Sequence, residues 1–224
     1  MLLGRTVMMI FGLAGRSGSG KTTLLVRLLP ELRARGMTVS TLKHAHHGFD
    51  IDRPGKDTHR HREAGASEVM VVSGDRWALL HEIREEEPPL EDLIRRMTPV
   101  DLVLLEGFHT HGHPMIEVHR PSAGHRLMWH PGSDILAVAS DEPIAGCGVQ
   151  VLDLNDTGAI ADFVMARAGF PVVTFDRRRD DPRGLGTPFS GPISARERYG
   201  VFEADVSATL TARRSADASL ARAP

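Results

Sequence analysis

The sequence predicts an α/β domain, a mostly parallel sheet flanked by helices, followed by a C-terminal extension. Three observations carry this expectation. Val7 to Leu13 is a continuous apolar run ending near glycine, the pattern of a strand buried on both faces. Leucines at 24, 25, 28, 29 and 32 then recur at helical spacing between Lys21 and Arg35. Beyond them, short apolar runs alternate with helical segments, as in strands joined by helical crossovers.

The first helix is expected to stop at Gly36, and Pro30 inside it predicts a kink or an early end. Thr38 to Leu42 reads as the second strand, and a polar loop follows. Asp57 to Ala64 is a short helix closed by Gly65. Glu68 to Val72 and Trp77 to His81 are strand-like, and Leu90 to Met97 is a helix after Pro88-Pro89. Asp101 to Leu105 is another buried apolar strand, running into Glu106-Gly107. Met115 to His119 alternates, which predicts a half-exposed strand. Ile135 to Ala139 and Val149 to Leu152 are two more strands. Asp156 to Ala168 is a last helix, with Asn155 or Asp156 as its N-cap. Residues 1–169 form the expected domain. After Gly169 the chain is dense in charge, Pro and Gly, so 170–224 reads as a loop-rich, partly disordered extension.

The bulk numbers narrow the function classes. A chain of 224 residues suits one sizeable domain, and 41% hydrophobic with 25% charged residues is ordinary for a globular protein. The net charge of −2 gives no basic field for nucleic acid or an anionic membrane. The single cysteine, Cys147, has no disulfide or C-x-x-C partner, which fits a reducing cytoplasm. The start, MLLGRTVMMIFGLAG, is read as a strand entering a glycine loop rather than a leader peptide, and no apolar run is long enough to span a bilayer.

The strongest motif is GRSGSGKT, Gly15 to Thr22, a full match to G-x-x-x-x-G-K-[ST] between a buried strand and a helix. Glycines let successive N–H groups curl toward one anion, and the helix N-terminus adds a favourable field. Gly15, Arg16, Ser17, Gly18, Ser19, Gly20, Lys21, Thr22 and Thr23 are therefore the expected phosphate cradle. Lys21 supplies a mobile cation and Thr22 a hydroxyl for Mg²⁺. The fold is thus expected to be that of a P-loop NTPase, in which an acid ends a buried strand beside the loop. DLVLLEG places Glu106 there.

A second stretch stands out, KHAHHGFDIDRPGKD from Lys43 to Asp57, in a chain whose twelve histidines all lie between His44 and His130. Following the second strand, its acids suit a loop reaching Mg²⁺ or the γ-phosphate, Asp52 ahead of Asp50. Lys43, His44, Arg53 and Lys56 are candidates for anionic oxygens. Ser73, Gly74 and Arg76 follow the third strand, in a loop able to face the same cleft. No [NT]-K-x-D guanine motif is present; Asp141, after a late strand, is either a guanine acceptor or a turn acid ahead of Pro143.

These segments together resemble the molybdopterin-guanine dinucleotide biosynthesis protein B (MobB) family over roughly residues 7–168. The resemblance rests on GRSGSGKTTL, on TLKHAHHGFDIDRPGKDTHRHREAGA, on VSGDRWAL and on DLVLLEGFH. The chain departs from the family at His109, where lysine is usual. What the resemblance implies is a dimeric GTP-binding adapter of molybdenum cofactor maturation, with weak GTPase activity at most. It implies Mg²⁺ as cofactor, molybdopterin as a candidate ligand, and the nucleotidyltransferase MobA as partner, which attaches GMP to molybdopterin. On that reading Lys21, Asp52 and Glu106 carry the chemistry, with Thr22, Asp52 and Glu106 at the metal. Two rivals remain at this point. One is a nickel or cobalt insertion GTPase using H-x-H pairs at 44/46, 59/61 and 109/111/113. The other is a non-hydrolysing nucleotide-gated scaffold.

Overall fold

The computed structural model of the chain describes residues 5–45, 49, 51–84, 86–109, 112–168 and 173–176. The strands are β1 (Arg5–Ala14), β2 (Val39–Lys43), β3 (Glu68–Val72), β4 (Trp77–His81), β5 (Leu102–Glu106), β6 (Met115–His119), β7 (Ile135–Ser140), β8 (Gln150–Asp153) and β9 (Val173–Asp176). The helices are α1 (Lys21–Ala34), α2 (Asp57–Glu63), α3 (Leu90–Arg95) and α4 (Thr157–Arg167).

Six strands pair in parallel in the order β2-β5-β1-β6-β7-β8, which bears out the expected mostly parallel sheet. Successive residues of β1 and β5 feed opposite layers. Phe11, Leu13, Leu102 and Leu104 pack with α1 and α4, while Met8, Ile10, Val103 and Leu105 pack with Leu90 and Ile94 of α3. Covering both faces explains why these strands read as continuous apolar runs.

Pro30 does not shorten α1, contrary to expectation. The helix runs to Ala34, and both Pro30 and Val26, whose carbonyl loses its partner, lie on the exposed side where water replaces the bond. Leu24, Leu25, Leu28 and Leu32 are buried beneath. At roughly 1.5–3 kcal/mol each, their burial outweighs a proline cost of about 3 kcal/mol. Gly36 ends the helix at φ 82°, with Gly36 N–H donating to Arg33 O and Met37 N–H to Leu32 O. At the other end of the fold, Asp156 is the N-cap of α4, accepting from Ala159 N–H at 2.9 Å.

One further expectation is corrected, and two features go beyond what the sequence announces. β6 is buried along its whole length instead of half-exposed, because it lies between β1 and β7. Its polar residues find partners inside: Glu117, 1% exposed, accepts the N–H groups of Met128 and Trp129 at 2.8 Å each. β3 and β4 do not enter the main sheet but form an antiparallel hairpin. Finally, β9 lies within the segment read as loop-rich and pairs antiparallel with β1, from Arg5↔Asp176 to Met8↔Val173. Four residues beside a charged run give too little periodic signal to announce a strand. Residues 177–224 lie outside the described residues.

Candidate functional site

The strand register assembles the site. Leu13 pairs with Glu106 across β1 and β5, and Lys43 pairs with the same Glu106 across β2 and β5. Three chain segments distant in sequence therefore end side by side, directly below the turn from β1 into α1. Ligands of open parallel sheets bind beyond these carboxyl ends.

The turn is built for backbone proximity. Gly15 sits at φ 142°, and a Cβ there would lie 2.6 Å from both Ser19 Oγ and the Val118 carbonyl. Gly18 and Gly20 also have positive φ, at 77° and 99°. Gly20 precedes the first residue of α1, so the N–H groups at the start of the helix have no partner in the preceding turn. Lys21 Nζ donates to the carbonyls of Gly15 at 2.8 Å and Arg16 at 3.0 Å, holding the loop around itself. Burial lowers the Lys21 pKa; the neighbouring Lys43 adds to this and the Glu106 carboxylate opposes it. A bound polyanion would reverse that balance.

Glu106 is 7% exposed. It accepts the Thr22 hydroxyl at 2.9 Å and faces the Lys43 ammonium at 3.5 Å, so a buried carboxylate is neither unsatisfied nor uncompensated. Ser17, Gly18, Gly20, Lys21, Thr22, Thr23, Lys43 and Glu106 line one open cleft of ≈ 370 Å³. Two hard oxygens side by side at a cationic phosphate cradle fit Mg²⁺ and its nucleotide. The Ser19 hydroxyl is buried with no hydrogen-bond partner among the described residues, a second sign of a loop shaped to receive a ligand.

Other predicted residues lie elsewhere. Asp52 is not on the cleft; it accepts Thr58 Oγ1 at 2.6 Å and Arg62 Nη1 at 3.3 Å, while Arg62 also donates to Glu82. His44 is tied by its backbone N–H to the Glu106 carbonyl at 2.8 Å, and its ring meets Phe108 at 5.3 Å and Glu87 at 3.2 Å. Arg53 sits in the exposed turn leading to α2. Ser73 and Arg76 close the β3–β4 turn, with Ser73 N–H donating to Arg76 O, and neither lines the cleft. Asp141 lines a second cleft of ≈ 340 Å³ beyond β7 and β8, and is ion-paired with Arg120. Asp50, His46, His47 and His111 lie outside the described residues.

Arg120 escapes the sequence reading. Its signal was its place: it directly follows β6, a strand adjoining the P-loop strand, on the ligand side of a parallel sheet. Reading β6 as half-exposed hid that meaning.

Among the described residues no group of three or more His, Cys, Asp or Glu gathers to hold a metal; His46 and His111, on which two of the H-x-H groups depend, lie outside them. No helix among them is long and apolar enough to cross a membrane. The family model for molybdopterin guanine dinucleotide synthesis protein B matches residues 10–141. The chain is 42% identical over 172 residues to the molybdopterin-guanine dinucleotide biosynthesis adapter protein of Escherichia coli K12, covering 73% of this chain and 95% of that one. It is 41% identical over 160 residues to the adapter protein of the same name from Haemophilus influenzae, covering 69% and 86%. A crystal structure of molybdopterin-guanine biosynthesis protein B matches with a TM-score of 0.54 and 30% identity, over 70% of this chain and 99% of that one. With the strand-end acid, the glycine loop and these likenesses in agreement, the chain belongs to the MobB family.

Proposed function

We propose that this protein is a Mg²⁺-dependent GTP-binding adapter that assists a MobA-type nucleotidyltransferase in attaching GMP to molybdopterin. The observation that carries the nucleotide half is Thr22, Glu106 and Lys43 meeting at the mouth of the glycine loop. The adapter half comes from the names of its relatives. Thr22 and Glu106 would hold the metal, directly or through water, and Lys21 would leave the Gly15 and Arg16 carbonyls for the phosphates. Bound Mg²⁺ would neutralise charge on the β- and γ-phosphates.

Turnover is expected to be slow. Among the described residues the one acid lining the phosphate cleft is Glu106, engaged by Thr22, and Asp52 is engaged by Thr58 and Arg62. A nucleotide-gated adapter, in which GTP orders the loop more than it fuels work, fits this better than a rapid enzyme. For molybdopterin, the exposed cations Arg53, Lys56 and Arg60 are the surface we assign to its phosphate.

A homodimer is proposed on a separate observation. One face of the β3–β4 hairpin presents Met70, Val72, Trp77 and Leu79, exposed by 60%, 70%, 63% and 43%. The neighbouring α2 buries no residue at all. Such a patch is the mark of an interface, and a second copy of the chain is the occupant we commit to.

The adapter role is tested with MobA and molybdopterin in the presence of GTP. Wild-type protein should stimulate dinucleotide formation with little release of inorganic phosphate, and Lys21→Ala should not stimulate. Equal stimulation by Lys21→Ala would remove GTP from the mechanism. Phosphate release in step with every product formed would replace the adapter with a hydrolytic cycle.

A further inference from the structure

We infer that Asp141 and Asn155 form the base-reading end of the nucleotide site and that Arg120 is the positioning residue that aims Asp141. This rests on the reading of the first cleft as a GTP site and names what distinguishes guanine from adenine in it.

One side chain stands near a residue of each cleft. Gly20 lines the phosphate cleft, and Asp141 lines the second cleft beyond β7 and β8. Between them lies Arg120, whose Nε would stand 3.5 Å from a Cβ on Gly20 and whose Nη1 is ion-paired with Asp141 Oδ2. One side chain thus lies near Gly20, the residue that precedes α1, and pairs with the carboxylate of the next cleft.

Asp141 is incompletely satisfied. Its Oδ1 is shielded from water and has no hydrogen-bond partner among the described residues. An ionised carboxylate offers about four lone-pair sites, and one guanidinium nitrogen fills a single one. Its backbone is meanwhile fixed: Ser140 Oγ donates to Glu142 O at 2.7 Å and accepts the Glu142 N–H at 3.2 Å. A side-chain rotation that brought Oδ1 to the cleft would suit this under-donated carboxylate to a ligand edge carrying two adjacent N–H donors. Guanine presents that edge at N1 and N2; adenine has an acceptor at N1 and no donor at C2.

The opposite wall supplies the complement. Asn155 follows β8 and lines the same cleft, and a carboxamide can donate to the guanine O6. Its turn is held by Asp153 Oδ1, which accepts the Asn155 N–H at 2.8 Å, and by Arg27 of α1, whose Nη2 donates to the Asn155 carbonyl at 2.7 Å. The Asn155 wall is therefore tied to the helix that begins at the phosphate loop. No [NT]-K-x-D motif is needed, since the acceptor and the donor come from two different strand ends.

Calorimetric titrations of the full chain with Mg²⁺ and GTP, ITP, XTP, ATP or tripolyphosphate test this. Asp141→Asn should weaken GTP roughly 10- to 100-fold and strengthen XTP, because an amide donates to the xanthine C2 oxygen, with tripolyphosphate unchanged. Arg120→Met should shrink the preference for GTP over ITP, and Arg120→Lys should restore most of it. If Asp141→Asn leaves the GTP-to-XTP ratio where it was, or Arg120→Met weakens tripolyphosphate as much as GTP, the assignment is wrong while the GTP reading stands. If the wild-type protein binds ATP as well as GTP, the GTP reading itself fails, and this one with it.

Discussion

The carboxyl ends of β1, β5 and β2 and the β3–β4 hairpin are two regions of contrasting completeness. At the strand ends the charged groups are held, Lys21 by two carbonyls and Glu106 by Thr22 and Lys43, and Gly15 is confined where no side chain would fit. On the hairpin, Trp77 and Val72 stand in solvent and α2 buries nothing. The lesson is that one region is preorganised within a single chain, whereas the other leaves an apolar face exposed, the face proposed above to be covered by a second copy. Nucleotide binding should therefore survive damage to the hairpin, and association should survive damage to the loop.

The largest effect should come from breaking the hairpin face. Trp77→Lys combined with Val72→Lys is expected to convert the dimer to monomer in sedimentation velocity while leaving GTP affinity within about twofold. A dimer that persists would place the interface elsewhere. Next is Lys21→Ala, which removes a charge-assisted contact to phosphate and should weaken GTP by roughly 100-fold, about 3 kcal/mol, with an unchanged sedimentation coefficient. Near-normal affinity in this variant would mean that the loop is not the phosphate cradle. Glu106→Gln should shift the Mg²⁺ concentration needed for half-maximal GTP binding upward by about tenfold, because a neutral amide is a poorer partner for a hard cation. An unshifted Mg²⁺ requirement would separate Glu106 from the metal.

Two effects of pH sharpen the comparison further. The Lys21 pKa is lowered by burial, so its ammonium is lost at a lower pH than that of a free lysine. GTP affinity should accordingly begin to fall on the alkaline side before ordinary lysines titrate, with no matching change in association. Asp101 gives the smallest effect. The Thr38 hydroxyl, at 2.6 Å, and the Thr38 N–H, at 2.7 Å, hold its carboxyl below the usual carboxylate range. A depressed folded pKa contributes stability that is present above the unfolded value and lost as pH falls through the folded one. Asp101→Asn should thus cost about 1 kcal/mol or less at neutral pH and nothing in strong acid, read from denaturation midpoints. An equal loss at both pH values would show that the charge contributes nothing.

How much of this was legible in the sequence follows the range of the interactions. Gly15 to Thr22 and Glu106 could be read directly because a local motif and a strand end define them, and the register then adds only Lys43. Asp52 was misplaced relative to the cleft because its partners, Thr58 and Arg62, belong to a helix whose docking the loop does not announce. β6 looked half-exposed because the groups that satisfy Glu117 come from Met128 and Trp129, beyond the strand itself. The same error concealed Arg120. The hairpin gave correct strands but not their separation from the sheet, since antiparallel pairing at a short turn and parallel pairing through a crossover draw on the same apolar pattern. Asp141 reads equally as a guanine acceptor or a turn acid because its ion pair with Arg120 is set by the pairing of β6 with β7, which no local motif announces.

The most direct measurement of the central claim is calorimetric titration of the full chain with GTP and with ATP, each with and without Mg²⁺. The account predicts saturable binding of GTP that is strengthened by Mg²⁺ and is at least tenfold tighter than that of ATP. Equal affinity for the two nucleotides, or binding indifferent to Mg²⁺, would contradict it.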